Sequence, residues 1–86
     1  MIARVAVLAT LLLQGCSDRW ESFVYPNRND LTVHINGGQW STLEDCRNAS
    51  LLGLRVAGRL EIGTYECGLN CKPFTEDMKM CEKTTR

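Results

Sequence analysis

The chain has 86 residues, of which 44% are hydrophobic and 5 are cysteines, and its 10 basic and 10 acidic residues give a formal net charge of zero. This length allows one domain at most, and it excludes a two-domain enzyme and a solenoid of several repeats. The balanced charge excludes the broad basic surface that is typical of nucleic-acid binding, so we expect no nucleic-acid partner.

The first fifteen residues have the pattern of a secretory signal peptide. Arg4 supplies one positive charge, and a run of uncharged, mostly apolar residues follows at positions 5–13. The run is shorter than the roughly 20 apolar residues that a membrane-spanning helix needs. A buried N-terminal helix is the alternative, and it is less favoured because no polar face interrupts the run. We therefore predict a signal peptide at residues 1–15.

A short motif, Leu13-Gln14-Gly15-Cys16, ends this run. It resembles the lipobox of bacterial lipoproteins, in which an aliphatic residue and two small-to-medium residues precede a cysteine. The resemblance implies that Cys16 receives a diacylglyceryl group, that the signal is cleaved before it, and that the new amino terminus is acylated. Several acyl chains on one cysteine anchor a protein stably, whereas a single chain holds only marginally. The implied partner is therefore a membrane, reached through the lipid on Cys16.

The residue after the lipobox cysteine bears on the location of the protein. Under the sorting rule of enterobacterial lipoproteins, an aspartate there favours the inner membrane, but this chain has Ser17. We therefore expect a periplasm-facing protein of the cell envelope, anchored in the outer rather than the inner membrane, with residues 16–19 as a lipidated tether. Loss of Arg4 leaves 9 basic and 10 acidic residues, which gives no electrostatic case for binding nucleic acid or anionic headgroups.

The other four cysteines form an even set, as expected for two disulfides in a small exported domain. They are Cys46, Cys67, Cys71 and Cys81. Sequence alone leaves three connectivities open. Cys46–Cys67 with Cys71–Cys81 is narrowly preferred over the crossed alternative, Cys46–Cys71 with Cys67–Cys81. A Cys67–Cys71 bridge is least favoured, because on a regular strand the two Cα atoms would lie about 13 Å apart.

A four-thiolate zinc site is the alternative use of these cysteines, since Cys67 and Cys71 have the spacing of one ligand pair. Export to an oxidising compartment favours disulfides instead, so we predict neither a metal nor a cofactor. The single histidine, His34, is expected on the surface without catalytic partners. The sequence has no phosphate-binding loop, serine elbow or zinc-protease motif. We therefore predict no catalytic residues and a protein that is not an enzyme.

Residues 20–86 are predicted to form one small α+β domain in the order ββαββ, cross-linked by the two disulfides. A strand is predicted at Trp20–Tyr25 from its aromatic and β-favouring residues, and another at Leu31–Ile35 from its strict alternation. The segment Asn36-Gly37-Gly38 is expected to end the second strand. Trp20 and Trp40 are expected to be partly exposed, which would favour a binding surface.

A helix is predicted from about Thr42 to Ala57, with Ser41 as N-cap, Glu44 completing a capping box and Gly58 at the C′ position. Its leucines at positions 51 and 52 lie off the inward face, so they either cover another edge of the core, which is preferred, or mark a contact surface. The inward face itself is predicted to consist of Leu43, Cys46, Ser50, Gly53, Leu54 and Ala57.

The third strand is predicted to start at Gly63 within the segment that ends at Cys71, with Gly68 marking a bulge or bend. A loop at residues 72–77 is expected to precede a last strand that runs from Met78 to Glu82 or on to Thr84. The simplest packing lays the one helix across a small, mainly antiparallel sheet.

The mature part also resembles small uncharacterised bacterial lipoproteins, over Phe-Val-Tyr-Pro at 23–26, Leu-Glu-Asp-Cys-Arg at 43–47 and the segment 65–71. This resemblance implies no activity and no catalytic residue. The triplet Tyr65-Glu66-Cys67 resembles a motif of the periplasmic lysozyme inhibitors, which are small, lipidated and disulfide-bonded but all-β. We therefore expect a lipid-anchored envelope protein with a structural or protein-binding role and an envelope protein as partner. An inhibitor or immunity-type protein is the alternative.

Overall fold

The computed structural model describes residues 18–86, which fold into an antiparallel sheet with one helix packed on it. The predicted α+β class, with one helix on a mainly antiparallel sheet, is confirmed. A four-stranded sheet has the order β2-β1-β3-β6, and β4 and β5 pair as a separate small hairpin. In chain order the elements are β1 (Trp20–Tyr25), β2 (Ile35–Trp40), α1 (Leu43–Val56), β3 (Thr64–Leu69), β4 (Lys72–Pro73), β5 (Lys79–Met80) and β6 (Lys83–Thr85).

Strand β1 sends alternate side chains to two faces of the sheet that are covered by different elements. Trp20, Ser22 and Val24 are buried on the face that carries α1. Glu21 and Phe23 lie on the opposite face, where Lys79 of the β4–β5 hairpin contacts Glu21. Because both faces are covered, no residue of this central strand is exposed.

Two buried serines join α1 to β1 in the middle of their interface. The Ser50 hydroxyl donates to the Cys46 carbonyl over 2.7 Å. Because a hydroxyl has one hydrogen, the Ser22 hydroxyl must donate to Ser50, over 2.6 Å. Strand β2 passes so close to this pair that a Cβ on Gly37 would lie 2.2 Å from the Ser22 oxygen. The hydrogen bond therefore requires a glycine at position 37.

The ends of α1 are set by local hydrogen bonds and by one glycine. Thr42, not the predicted Ser41, is the N-cap, and its hydroxyl accepts from the backbone N–H of Asp45 over 3.1 Å. Gly58 has the positive φ of +70° expected of the C′ residue that was predicted there. The predicted inward face is buried at Cys46, Ser50 and Leu54.

The second strand lies later in the chain than predicted. The side chain of Asp30 accepts hydrogen bonds from the backbone and the hydroxyl of Thr32, which holds the start of the predicted Leu31–Ile35 strand in a turn. The predicted breaker Asn36-Gly37-Gly38 instead lies inside β2. The register with β1 shifts there, so that Gly37 and Gly38 both lie opposite Ser22 in a β-bulge, and Gly38 adopts a φ of +96°.

The prediction of a bulge at Gly68 is also wrong. Gly68 pairs regularly with Glu21 on one side and Thr84 on the other. The Cys71–Cys81 disulfide packs directly on it, so that a Cβ there would lie 2.5 Å from the Cys71 sulfur. Position 68 therefore needs a glycine because the disulfide covers it, and not because the backbone bends there.

The segment after β3 holds more structure than the predicted loop and single strand. Residues Lys72–Pro73 and Lys79–Met80 pair as β4 and β5, and the chain returns to the main sheet as β6 at Lys83–Thr85. Trp20, expected to be partly exposed, is 9% exposed, because the sheet and α1 enclose it. Trp40 is 37% exposed, as expected.

Substituting the two glycines at positions 68 and 53 by alanine should have opposite effects on stability. Gly68→Ala should lower the free energy of unfolding by about 1–3 kcal/mol, because the methyl group collides with both sulfurs of the Cys71–Cys81 bridge. Gly53→Ala should raise it by about 0.5–1 kcal/mol, because Gly53 is helical and its nearest neighbour would be 3.8 Å away. Urea denaturation measures both, and destabilisation by Gly53→Ala would contradict this packing.

Candidate functional site

The predicted signal peptide at residues 1–15 and the predicted lipidation residue Cys16 lie outside the described residues. The end of the predicted tether is within them. Arg19 is bound to the far end of β3, since its N–H donates to the Asn70 side chain over 2.9 Å. Its carbonyl accepts from the Asn70 N–H over 2.8 Å. The chain is therefore fixed to the folded domain from Arg19 onward.

The four remaining cysteines form the two disulfides of the preferred connectivity, Cys46–Cys67 and Cys71–Cys81. The first bridge joins α1 to β3 across the interface between helix and sheet, and neither of its residues is exposed to solvent. The second closes the β4–β5 hairpin and lies on the opposite face, over Gly68. The first bridge therefore links the helix covalently to the sheet, whereas the second closes the hairpin on itself and packs against the sheet.

Removing the two bridges should cost unequal amounts of stability. Paired alanine substitution at Cys46 and Cys67 should lower the free energy of unfolding by about 3 kcal/mol or more, because it opens a 21-residue separation and leaves a void in the core. The same change at Cys71 and Cys81 should cost about 2–3 kcal/mol, because it opens a 10-residue separation nearer the surface. Denaturant titration of both double variants measures the two losses in free energy of unfolding. A larger loss for the Cys71 and Cys81 variant would refute this prediction.

An apolar groove of about 720 Å³ runs between α1 and the edge strand β2. Its floor includes Val24 of β1 and Leu54 of α1. Four large apolar side chains around it are exposed, and they come from both elements: Ile35 at 56%, Trp40 at 37%, Leu52 at 58% and Val56 at 79%. A continuous apolar surface of this kind is a common feature of binding sites.

Leu51 and Leu52, which lie off the inward face of α1, are both exposed, but only Leu52 lines the groove. Leu51 is 40% and Leu52 is 58% exposed, so the preferred prediction that they cover an edge of the core is wrong. Leu52 lines the groove together with Trp40. The alternative prediction, a contact surface, stays a prediction. The helical wheel correctly places both residues off the buried face of α1.

The groove has an acidic and a basic end. Asp45 lies in the first turn of α1, and Arg59 follows the end of the helix. The part of α1 from Asp45 to its end at Val56 separates them by roughly 16 Å. Neither side chain forms an ion pair with another residue in the described range. The groove therefore offers an apolar centre between two unneutralised charges of opposite sign.

The opposite face of the sheet carries a polar cluster around Glu21, which is 3% exposed. Its carboxylate accepts from the ammonium of Lys79 over 2.5 Å and from the side-chain amide of Asn36 over 2.9 Å. The side-chain amide of Gln39 donates to the other oxygen over 3.5 Å. Because these donors engage both oxygens, the carboxylate serves to hold the hairpin to the sheet.

The remaining polar groups have similarly local roles. The rings of Phe23 and His34 meet edge to face at 5.6 Å, and His34 is exposed, as predicted. Burial, and then the negative charge of Glu66, raise the pKa of the Tyr25 hydroxyl above its ordinary value. Among residues 18–86, no three histidine, cysteine or carboxylate side chains are grouped closely enough to hold a metal ion.

Replacing Lys79 by methionine should destabilise the protein. The change leaves a buried carboxylate with its amide donors alone, and we expect a loss of about 1–3 kcal/mol in the free energy of unfolding. Lys72→Met removes the same charge from the paired strand β4, where Lys72 is exposed, and should change stability by less than about 0.5 kcal/mol. Thermal unfolding of the two variants tests this difference, and equal losses would show that the ion pair with Glu21 is not the cause.

Comparison of the chain with models of protein families, with curated proteins and with solved structures finds no match. Within residues 18–86, no helix has both the length and the apolar character required to cross a membrane.

Proposed function

We propose that this chain is a small lipoprotein of the bacterial cell envelope, anchored through lipid on Cys16, and that it acts as a binding module and not as an enzyme. The observation that carries this proposal is the open apolar groove beside a helix that is covalently fixed to its sheet. A surface that is both apolar and rigid suits recognition of another protein, because little conformational freedom is lost on binding.

The proposed location is supported by the two disulfides, which are typical of compartments outside the cytosol. The lipobox-like residues before Ser17 supply the route to a membrane. Since Arg19 is fixed to the domain and Cys16 is three residues away, an extended tether reaches at most about 11 Å. Lipid on Cys16 would therefore hold the domain close to the bilayer surface.

The choice of a binding role over catalysis rests on how the polar groups are used. The buried carboxylate of Glu21 and the hydroxyls of Ser22 and Ser50 all have hydrogen-bond partners within the protein. The apolar groove, by contrast, has unpartnered side chains at its rim. The inhibitor alternative receives less support, because α1 departs from the all-β architecture that the resemblance to lysozyme inhibitors implies.

The lipid anchor is tested by growing cells that express the chain with radiolabelled palmitate. The wild-type protein should carry label and sediment with membranes, whereas Cys16→Ala should carry none, because it lacks the acceptor thiol. Paired Cys71→Ser and Cys81→Ser substitution should leave the label in place and so provides a matched cysteine control. Label that persists in Cys16→Ala, or wild-type protein without label, would reject the anchor.

The choice of membrane is tested by separating inner and outer membranes on a density gradient. In an enterobacterial host the wild-type protein should fractionate with the outer membrane, and Ser17→Asp should move most of it to the inner membrane. Ser17→Thr keeps a hydroxyl at the same position and serves as the control. Wild-type protein found in the inner membrane would contradict the proposed placement while leaving the lipid attachment intact.

A further inference from the structure

Large apolar side chains are exposed on both sides of the groove. Val56, at 79% exposure, and Leu52, at 58%, lie one helical turn apart on α1. Ile35 and Trp40 stand at the two ends of β2, on the other side of the groove. A cover for this surface must therefore span the length of the groove and contact both the helix and the edge strand.

The charges at the two ends of the groove restrict which partner can bind there. In a two-fold symmetric contact the same patch faces itself, so each charge must find its complement within the patch. Asp45 at one end and Arg59 at the other meet this requirement. An antiparallel arrangement of two α1 helices places Asp45 of each copy beside Arg59 of the other. A patch with one sign of charge at both ends would oppose such a contact.

The shape of β2 favours contact through side chains over sheet extension. Strand β2 is an edge of the described sheet, and its bulge at Gly37 and Gly38 interrupts a regular ladder. Bulges of this kind discourage a second strand from adding to an edge. The exposed side chains of the groove remain available for contact. The partner surface therefore contacts the groove through apolar side chains and does not add a strand to β2.

We propose that the groove is covered by the groove of a second copy of this chain, in a two-fold symmetric dimer with antiparallel α1 helices. This inference rests on the proposed binding role and specifies its partner. It does not depend on the lipid. Leu52 lies near the middle of the contact and its symmetry mate lies opposite it, while the charges of Asp45 and Arg59 close the two ends.

The first test is the mass of the purified full chain in mild detergent, determined by light scattering after correction for bound detergent. We expect a dimer. Asp45→Arg and Arg59→Asp should each raise the dissociation constant roughly tenfold, because two contacts become repulsive. The double variant should restore the wild-type value, since the charges are exchanged and not removed. Glu44→Arg, in the same turn but outside the groove, should have little effect.

A second test reads the contact in intact cells with a short bismaleimide, which links free thiols in any compartment. Leu52→Cys should cross-link to a dimer, while Leu51→Cys, also exposed but outside the groove, should not exceed the wild-type background. A monomer in every measurement, or failure of the double charge exchange to restore the dimer, would overturn the proposal. So would a Leu52→Cys product with the mass of a different protein.

The outcomes separate this inference from the proposed function. A dimer without palmitate label would refute the lipid anchor and keep the dimer. A labelled monomer would refute the dimer and keep the anchor.

Discussion

The covalent link between α1 and the sheet is the constraint on which the rest of the structure depends. The helix fully buries only Cys46, Ser50 and Leu54, with Leu43 partly buried, so its large apolar side chains at positions 51, 52 and 56 do not hold it on the sheet. The Cys46–Cys67 bridge and the Ser22–Ser50 hydrogen bond fix its position instead. The helix therefore does not need its other apolar side chains for the core, and these are the side chains that line the groove.

Small residues make this arrangement possible on both faces of the sheet. Gly37 lets β2 pass over the serine pair, and Gly68 lets the second disulfide lie directly on β3. At each of these points a sulfur or hydroxyl group occupies the space in which a larger apolar side chain would normally pack. The domain thus replaces part of a conventional hydrophobic core with specific short contacts, as expected for a chain of this size.

Much of the fold could be predicted from the sequence where local signals act alone. The β1 strand, the helix with its Gly58 terminus, the α+β class and the favoured disulfide pairing are all confirmed. The errors have two sources, contacts between elements that are distant in sequence and local side-chain hydrogen bonds. Asn36-Gly37-Gly38 has the composition of a turn, but its glycines serve the close approach to Ser22 and a bulge. Alternation at residues 31–35 is real, yet the hydrogen bonds of Asp30 hold its first part in a turn.

The groove shows a similar limit of prediction from sequence. The sequence predicts a partly exposed Trp40, and it places Leu52 off the inward face of α1 with cover of a core edge preferred, but no local signal shows that the two residues line one groove. They line the same groove because β2 lies at the edge of the sheet beside α1, which the Cys46–Cys67 bridge links to β3. The same bridge holds α1 to the sheet on one side of the groove. The features that compensate for a small core therefore also leave an apolar surface exposed, and an exposed surface of this kind favours association.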